Sequence, residues 1–413
     1  MLGAVLLIVG DELLAGELSD SNGPFLADQL TAHGFHVHAI HILPDDAEAI
    51  SEAVHTALDT CHLIVVSGGL GPTSDDRTTE GVALALGRTP VLHQEQWERI
   101  RQLFLTFRGQ EPPPGNEKQA TIPSDAEILH NPVGTAPGYV TRTGTCAIAV
   151  LPGPPKENRP MFDIALLPWL DRNWPKRSGM MTRIFRVFGL PESEIGHRLH
   201  PLEQKYQRIR VSYQFRFPEI LAKLRCPSES LDILEAATCE LKGLLDPHIY
   251  GTGDETLPTV LGRTLCSLGL RIVTAESCTG GLAAKLLTDT PGSSSWMDGG
   301  FVTYNNTAKE KVLGVPARFL QGYGAVSEPV ALAMLKGAFE RSTADVGFAV
   351  TGIAGPDGGT VEKPVGTVCI AWGRRDRLHV HTYRFAWDRE YNRLVSAWAA
   401  MHRLYMELRE DTA

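Results

Sequence analysis

The sequence has little cysteine, and its cysteines follow no pattern. Seven cysteines are scattered over 413 residues, the number is odd, and no two are spaced as Cys-X-X-Cys. A disulfide scaffold or a zinc site would need paired or regularly spaced cysteines. No apolar run is long enough to cross a membrane, and the stretch Ala4–Val9 is too short for a signal peptide. We expect a cytoplasmic protein with a reducing environment and no membrane partner.

Basic residues are also fewer than acidic residues. The 39 Lys and Arg residues are outnumbered by 48 Asp and Glu residues, which gives a formal net charge of −9. That balance disfavours direct binding to nucleic acid, and residues 171–251 lack the GxxG loop that clamps a nucleic-acid backbone. Hydrophobic residues make up 43% of the chain and charged residues 21%, as in ordinary globular proteins. A chain of 413 residues predicts two or three domains.

Residues 1–170 alternate apolar runs with amphipathic stretches. Strands are predicted over Ala4–Val9, Phe35–Leu43 and His62–Ser67. The stretches Gly23–His33 and Ala47–Leu58 carry their apolar residues on one helical face. Strands that alternate with helices pair in parallel, so we expect a doubly wound α/β sheet. Ligands of such sheets bind at the carboxyl ends of the strands.

Two further segments complete the predicted organisation. Residues 171–251 open with a breaker-rich connection and then mix strands with helices. They predict a small α+β module that serves as a spacer or for dimerisation. Residues 252–413 again alternate strands and helices and end in a long helix, which predicts an α/β/α sandwich. We expect the protein to be a homodimer.

A polar run with two glycines follows a strand of the third segment. The strand predicted over Leu270–Ala275 leads into Glu276-Ser-Cys-Thr-Gly-Gly281, where a helix begins. Unpaired amides at a helix start bind an anion or the oxyanion of a tetrahedral intermediate, so Ser277 is a candidate nucleophile. An alternative that spacing alone favours equally is that Ser277 or Thr279 merely caps the helix. Cys278 is intrinsically the better nucleophile, but adjacent side chains point in different directions.

Lys309 is a base of the kind that a serine nucleophile needs. It lies in the first turn of the helix predicted over Thr307–Leu313, where the positive helix end disfavours a protonated amine. Serine and lysine form a known nucleophile pair without histidine, and no histidine lies within these motifs. We therefore favour Ser277 and expect Cys278 to pack as a small apolar residue. The glycine-rich run Thr351–Gly359 is typical of a loop around a phosphate or ribose.

Five motifs of the third segment resemble the CinA C-terminal family, named for competence and damage-inducible protein. They are Ala275–Gly281, Phe301–Tyr304, Gly324–Glu328, Gly352–Gly359 and Lys363–Thr367. The family comprises amidases that convert nicotinamide mononucleotide into nicotinate mononucleotide and ammonia. The resemblance implies Ser277 as nucleophile, Lys309 as its base and Tyr304 as an assisting residue, with no cofactor. It also implies substrate contacts at Thr279, Gly280, Gly281, Thr351, Gly352, Ala354 and Gly355.

The first segment carries a glycine-rich loop with two aspartates. The run Ser67–Thr78 follows a strand and leads into a helix, and its glycine amides could form an anion-binding nest. Asp75 and Asp76, and Asp45 after the second strand, are candidate ligands of a divalent cation whose identity stays open. For Asp75, a charge that complements the helix dipole is an equally good interpretation. Asp45 taken by itself is more often part of a turn and N-cap.

The first segment is similar to the molybdopterin-binding fold of molybdenum-cofactor biosynthesis proteins, and more so to the N-terminal half of CinA proteins. The shared motifs include Gly10–Leu14, Gly68–Gly71, Asn116–Gln119, Asn131–Gly138 and Leu151–Pro155. The resemblance implies a metal-dependent ADP-ribose pyrophosphatase rather than molybdopterin chemistry. It implies substrate contacts at Gly10, Glu12, Gly68, Gly69, Gly71, Thr73, Asn131, Gly134, Pro152 and Gly153.

The two resemblances together cover the chain from end to end and leave three interpretations. The first is an enzyme that acts on nicotinamide mononucleotide and ADP-ribose. The second is a molybdopterin-type nucleotide-binding scaffold, and the third is a non-enzymatic competence or repair factor. The complete set of Ser277, Tyr304 and Lys309 favours the first, because a scaffold has no need of it. The acidic charge counts against a nucleic-acid-binding repair factor.

Overall fold

The computed structural model describes residues 2–175 and 178–410, and the chain divides into two compact units. The first unit contains the described residues up to Met181 together with Pro227–Leu231. The second contains Thr182–Cys226 and the described residues from Asp232 onward. Most of the predicted middle module therefore lies in the same unit as the C-terminal segment. No helix among the described residues is long and apolar enough to cross a bilayer.

The described residues of the first unit form eight strands, six in one sheet and two in a separate pair. Its strands are β1 (Leu2–Val9), β2 (Phe35–Leu43), β3 (Leu63–Ser67), β4 (Pro90–Leu92), β5 (Thr121–Pro123), β6 (Glu127–Leu129), β7 (Gly138–Thr143) and β8 (Cys146–Leu151). Its helices are α1 (Asp11–Leu14), α2 (Asn22–Ala32), α3 (Ala47–Leu58), α4 (Thr78–Leu86), α5 (Gln94–Arg108), α6 (Pro155–Met161) and α7 (Leu167–Asn173). The sheet order is β2-β1-β3-β8-β7-β6, and β4 pairs separately with β5.

The strand directions confirm part of the predicted pairing. Strands β2, β1, β3 and β8 run parallel to one another. Strand β7 is antiparallel to β8, and β6 is antiparallel to β7; the hydrophobic pattern of the sequence did not predict either strand. Ala4, Leu6 and Ile8 of β1 pack in one apolar core with α2, while Val5 and Leu7 pack in another with α3. Helices thus cover both faces of the sheet, as expected for a doubly wound domain.

The second unit contains two sheets. Its strands are β9 (Met180–Val187), β10 (Arg210–Arg216), β11 (Glu219–Pro227), β12 (Ile249–Thr252), β13 (Ile272–Glu276), β14 (Met297–Val302), β15 (Val346–Gly352), β16 (Thr367–Arg374) and β17 (Leu378–Arg384). Its helices are α8 (Glu192–Lys205), α9 (Leu231–Leu245), α10 (Leu257–Leu268), α11 (Leu282–Thr288), α12 (Asn306–Leu313), α13 (Ala317–Tyr323), α14 (Glu328–Glu340) and α15 (Arg389–Glu410). The strand orders are β10-β11-β9-β12 and β14-β13-β15-β16-β17.

The five-stranded sheet is mixed and covered on both faces. Strand β13 is parallel to β14 and β15, β16 is antiparallel to β15, and β17 is antiparallel to β16. Helices α10, α11 and α15 bury one face of the sheet, and α12, α13 and α14 bury the other. This arrangement confirms the predicted α/β/α sandwich. The first of these cores also contains Phe188 and Tyr250, two aromatic residues from the segment that was predicted to be a separate module.

Candidate active site

Ser277 directly follows β13, which lies between β14 and β15 in the five-stranded sheet. Strand β13 ends at Glu276, and the backbone N–H of Ser277 continues the pairing with β15 by donating to Val350 O at 2.9 Å. The serine is 7% exposed. It therefore sits at the carboxyl end of a parallel strand pair, where ligands of open α/β sheets bind.

Lys309 meets this serine from the first turn of α12. Asn305 caps the helix by accepting a hydrogen bond from Ala308 N at 2.7 Å. The Nζ atom of Lys309 lies 2.8 Å from Ser277 Oγ, 2.9 Å from Thr303 O and 3.5 Å from Tyr304 O. The predicted nucleophile and base, 32 positions apart in the chain, are thus in direct contact.

The environment of Lys309 favours its neutral form. The residue is 1% exposed, and burial lowers the pKa of its amine below the ordinary lysine value. A neutral amine has two N–H donors and one lone pair. The two carbonyls of Thr303 and Tyr304 can take the donors, which leaves the lone pair for the proton of Ser277. The arrangement suits a general base for the serine hydroxyl.

The amides at the start of α11 are occupied by a side chain of the protein. The carboxylate of Glu276 is fully buried and accepts hydrogen bonds from the N–H groups of Gly281 at 3.0 Å, Ala283 at 3.1 Å and Ala284 at 2.8 Å. The N–H of Gly280 donates to Ser277 O at 3.0 Å. The amides of the two glycines, expected from the sequence to face a substrate, are thus engaged internally. The alternative that Ser277 caps the helix is excluded, because its hydroxyl contacts Lys309 instead.

Cys278 packs in the apolar core that α10, α11 and α15 cover. The residue is buried, and burial raises the pKa of its thiol to about 12. A Cβ atom on Gly352, at the end of β15, would lie 2.7 Å from Val368 Cγ2, 3.0 Å from Thr367 O and 3.1 Å from Cys278 Sγ, which accounts for a glycine at that position. A thiol with this pKa is protonated at neutral pH and is a poor nucleophile. The expectation that Cys278 packs as an apolar residue is confirmed.

Tyr304 is placed beside an arginine that the sequence did not single out. Its side chain is 58% exposed, and its hydroxyl accepts a hydrogen bond from Arg389 Nη2 at 2.8 Å. It is the backbone carbonyl of Tyr304 that faces Lys309. Arg389 Nη1 also donates to Gly355 O at 2.6 Å, and Arg393 Nη2 donates to Thr279 O at 2.7 Å. One available signal was the position of Arg389 at the start of a helix, where the dipole disfavours a cation.

The remaining residues predicted for this site lie at the end of β15 and in the loop that follows it. The Thr351 hydroxyl is buried and donates to Ala325 O at 2.9 Å. The carbonyl of Ala354 accepts a hydrogen bond from Asn392 Nδ2 at 3.1 Å. With the Arg389 contact to Gly355, these bonds bring the loop and the helix start together. The second unit therefore has a serine–lysine pair and two arginines of α15 that bond to the loops around it.

The glycine loop of the first unit is closely packed against its surroundings. Gly68 has φ +114°, and a Cβ atom there would lie 2.2 Å from Val9 O. Gly69 has φ +63°, and its Cβ atom would lie 2.3 Å from the Thr78 hydroxyl. Only glycine fits at both positions, because a side chain would be both strained and blocked. The loop predicted to bind phosphate is therefore held rigidly at the carboxyl end of β3.

The three predicted metal ligands are not brought together as one set. The Asp76 carboxylate folds back on the loop and accepts hydrogen bonds from the N–H of Thr73, at 2.8 Å, and from its hydroxyl. Asp45 lies instead beside Asp11, whose N–H donates to Asp45 Oδ2 at 2.9 Å. Burial and then the carboxylates of Asp11, Glu12 and Asp75 raise the pKa of Asp45. Within residues 2–175 and 178–410, no group of three or more His, Cys, Asp or Glu side chains is arranged to hold a metal ion.

Several other residues predicted for the first unit organise its loops. Asn131 is fully buried, accepts from Gly134 N at 2.8 Å and donates to Glu157 Oε2 at 2.7 Å. The carbonyls of Pro152 and Gly153 accept hydrogen bonds at 3.0 and 2.7 Å from two buried amides. These amides belong to Asn158 and Asn22, and both also donate to the Ser67 hydroxyl at 3.0 Å. No sequence motif indicated this pair, because the two asparagines lie on different helices.

Comparison with known proteins covers the same two halves of the chain. The CinA C-terminal domain matches residues 254–408, and the probable molybdopterin binding domain matches residues 5–172. A CinA-like protein of Geotalea uraniireducens is 40% identical over 400 residues, which are 96% of this chain and 95% of that protein. A putative competence-damage inducible protein of Symbiobacterium thermophilum is 41% identical over 380 residues, 91% of this chain and 89% of that protein. The chain belongs to the CinA family.

Solved structures of CinA proteins match part of the chain. The competence/damage inducible protein CihA from Agrobacterium tumefaciens is 44% identical and covers 38% of this chain and 97% of its own, with a TM-score of 0.36. Ser277, Lys309 and Arg389 fall within the match to the CinA C-terminal domain. The glycine loop falls within the match to the molybdopterin binding domain. Residues 173–253 fall between the two matches.

Proposed function

We propose that the second unit hydrolyses the carboxamide of nicotinamide mononucleotide to nicotinate mononucleotide and ammonia. The observation that carries the proposal is the 2.8 Å contact between Lys309 Nζ and Ser277 Oγ. Burial lowers the pKa of that lysine, so a larger fraction of its amine is neutral at a given pH. A hydroxyl in contact with a buried amine is the geometry of an activated serine nucleophile.

Lys309 moves one proton in each half of the proposed reaction. Its neutral amine takes the hydroxyl proton of Ser277 as Oγ attacks the amide carbon. The amine then returns that proton to the leaving nitrogen, which departs as ammonia. Water hydrolyses the resulting nicotinoyl ester, its proton passing through Lys309 back to Ser277 Oγ, and nicotinate mononucleotide leaves. A base whose pKa lies close to the working pH can accept the proton and return it efficiently.

Arg389 and Arg393 are suited to the phosphate of the nucleotide. A guanidinium carries five N–H donors. Their bonds to Gly355 O, Tyr304 Oη and Thr279 O therefore leave donors for phosphate oxygens. The exposed ring of Tyr304 offers an aromatic face to the cationic pyridinium ring. In this proposal Tyr304 assists by orienting the substrate between the phosphate and the carboxamide.

Ammonia release from nicotinamide mononucleotide by the pure protein tests the proposal. We expect one ammonia and one nicotinate mononucleotide per substrate, measured by a coupled ammonia assay and by chromatography. Nicotinamide riboside, which lacks the phosphate, is the matched control and should show a higher KM. Folded protein that releases no ammonia would contradict the amidase and favour a nucleotide-binding scaffold or a non-enzymatic competence factor.

For the first unit we propose metal-dependent cleavage of the pyrophosphate of ADP-ribose. The raised pKa of Asp45 supports it, because burial and the nearby carboxylates of Asp11, Glu12 and Asp75 disfavour a negative charge that a cation would compensate. Mg²⁺ is commonly held by one or two carboxylates together with substrate phosphates. We therefore assign Asp45 and Asp75 to a cation that arrives with the pyrophosphate and screens its charge. Asp76 is assigned to the loop, since Thr73 engages it.

Chelation separates the two proposed activities. EDTA and Asp45→Asn should each stop the release of AMP from ADP-ribose and leave ammonia release unchanged. Asp76→Asn is the control, because its amide oxygen can still accept the hydrogen bond from Thr73 N. If EDTA removes both activities from protein that stays folded, the amidase depends on a metal and the assignment of Ser277 and Lys309 as a sufficient pair is wrong.

A further inference from the structure

The hairpin formed by β10 and β11 ends beside the first turn of α15. Phe217 occupies the turn between the two strands. Its ring lies edge-on to Tyr391 with 4.5 Å between centroids, and to Trp387 with 5.1 Å. Trp387 and Tyr391 also contact each other at 6.4 Å. These three rings, Phe217, Trp387 and Tyr391, are called the aromatic clasp below.

The aromatic clasp holds the backbone from which Arg389 extends. Arg389 is the first residue of α15 and lies between Trp387, which precedes the helix, and Tyr391, which is in its first turn. From the protein interior, Asn392 Nδ2 donates to Trp387 O at 2.7 Å and to Ala354 O at 3.1 Å. Phe217 also packs against the core that α15 covers. The start of α15 is thus fixed by Asn392 and by a ring from the hairpin.

We propose that Phe217 is a positioning residue of the amidase site, which it serves by holding Arg389 in place to bind the substrate phosphate. The inference rests on the proposed amidase function. A cation at a helix start is disfavoured by the dipole, so the orientation of Arg389 needs support from packing. Trp387 and Tyr391 are 48% and 43% exposed, and Phe217 is the ring that packs against both.

Phe217 lies outside the part of the chain that matches the CinA C-terminal domain. The CinA C-terminal domain match begins at residue 254, whereas Phe217 lies 37 positions earlier in a different sheet. A shift of about 1 Å in a binding group is enough to weaken a substrate complex substantially. The hairpin therefore sets substrate affinity in this chain without touching the serine–lysine pair.

Phe217→Ala in the full-length protein tests the proposal. We expect the KM for nicotinamide mononucleotide to rise about tenfold while kcat changes by less than about twofold, because only binding geometry is altered. Phe217→Leu keeps apolar volume at the turn and should recover part of the lost affinity. Phe215→Ala is the matched control, since that ring is 53% exposed and lies 6.1 Å from Phe217 on the hairpin itself. Its KM should match that of the unaltered protein.

A double-mutant cycle with Arg389→Ala shows whether the effect passes through the arginine. In that background, Phe217→Ala should raise KM no further, since coupled residues are not additive. Circular dichroism confirms the fold of each variant, and Phe217→Leu replaces Phe217→Ala in the cycle if the alanine variant is unfolded. An unchanged KM, a loss confined to kcat, or full additivity with Arg389→Ala overturns the proposal. An unaltered protein that releases no ammonia contradicts the proposed function instead, so the two failures are distinguishable.

Discussion

At the scale of single residues, two neighbouring side chains face opposite environments. Ser277 Oγ contacts a buried amine, whereas Cys278 Sγ lies in an apolar core with its pKa raised to about 12. We expect Ser277→Ala to lower the amidase rate by roughly 10³-fold or more, as removal of a nucleophile does. Cys278→Ala should retain most of the activity. Steady-state ammonia release checks both, and an inactive Cys278→Ala beside an active Ser277→Ala would reverse the assignment.

The pH dependence of the amidase should report the amine of Lys309. Because burial lowers the pKa of this lysine, the fraction of neutral amine rises with pH through a value below 10.5. The rate should therefore rise through the same range. In Lys309→Met this limb should be absent from any residual activity, while the exposed neighbour substitution Lys311→Met should leave the profile intact. A Lys309→Met enzyme with the original rate and pH profile would remove Lys309 from the mechanism.

The free energy of unfolding should also depend on the titration of Lys309, and it should increase with pH. Between the lowered pKa of folded Lys309 and the ordinary value of 10.5, the unfolded chain binds a proton that the folded chain does not. The free energy of unfolding of the original protein should therefore increase, relative to Lys309→Met, as pH rises towards 10.5. Urea unfolding of both proteins over this pH range measures the difference. A difference that stays constant with pH would show that Lys309 titrates alike in both states.

At the scale of elements, the turn from β13 to α11 depends on one buried carboxylate. Glu276 accepts from the N–H groups of Gly281, Ala283 and Ala284. Glu276→Ala should destabilise the protein by about 3 kcal/mol, because three amides at the helix start lose a buried charged acceptor. Chemical unfolding measures this loss. Glu310→Ala, an exposed acidic change on α12, is the control and should shift the unfolding free energy by less than about 0.5 kcal/mol.

The observed bounds of β13 and α11 show why the hydrophobic periodicity of the sequence located the site only approximately. The strand predicted over Leu270–Ala275 is observed as Ile272–Glu276, and the following helix begins at Leu282 rather than Gly280. Hydrophobic alternation marks which residues are buried but not where the backbone leaves the sheet. The exit depends on hydrogen bonds such as those of Glu276, which compete with local propensity at the helix start.

At the scale of the whole molecule, the C-terminal domain shares its core with the preceding segment. Phe188 and Tyr250 each lie 5.8 Å from Trp398, ring centroid to centroid. A fragment that begins near Thr252 keeps Ser277 and Lys309 but loses both rings. We expect it to retain kcat for ammonia release and to unfold at a lower temperature than the second unit within the full chain. The loss of buried aromatic area at Trp398 is the reason.

A longer fragment is the matched control for that comparison. It begins at Met180, where β9 starts, and so retains Phe188, Tyr250 and the hairpin with Phe217. Its thermal unfolding, followed by tryptophan fluorescence, should match that of the second unit in the full chain. Equal unfolding temperatures for the two fragments would mean that the shared core does not stabilise the domain. A folded short fragment without amidase activity would show that the catalytic site needs more than its own sheet.

The sequence by itself determined the features that depend on local chemistry. The alternation of strands and helices predicted both layered sheets, and the polar run after β13 with a lysine in a helix first turn predicted the pair Ser277 and Lys309. The glycines of the loop after β3 were recognisable in the sequence, and the positive φ of Gly68 and Gly69 explains why those two positions need glycine. Each of these signals lies within one or two consecutive elements, so pattern and propensity suffice to detect it.

Only the tertiary structure decided which side chains complete the sites. Arg393 reaches Thr279 across 114 positions, and Arg389 reaches Tyr304 across 85. Asp76 was a candidate metal ligand until its carboxylate was seen bonded to Thr73. Such contacts depend on where separate elements meet and which way each side chain turns. The hydrophobic periodicity and composition of a single segment do not encode these contacts, because packing between distant elements determines which of them form.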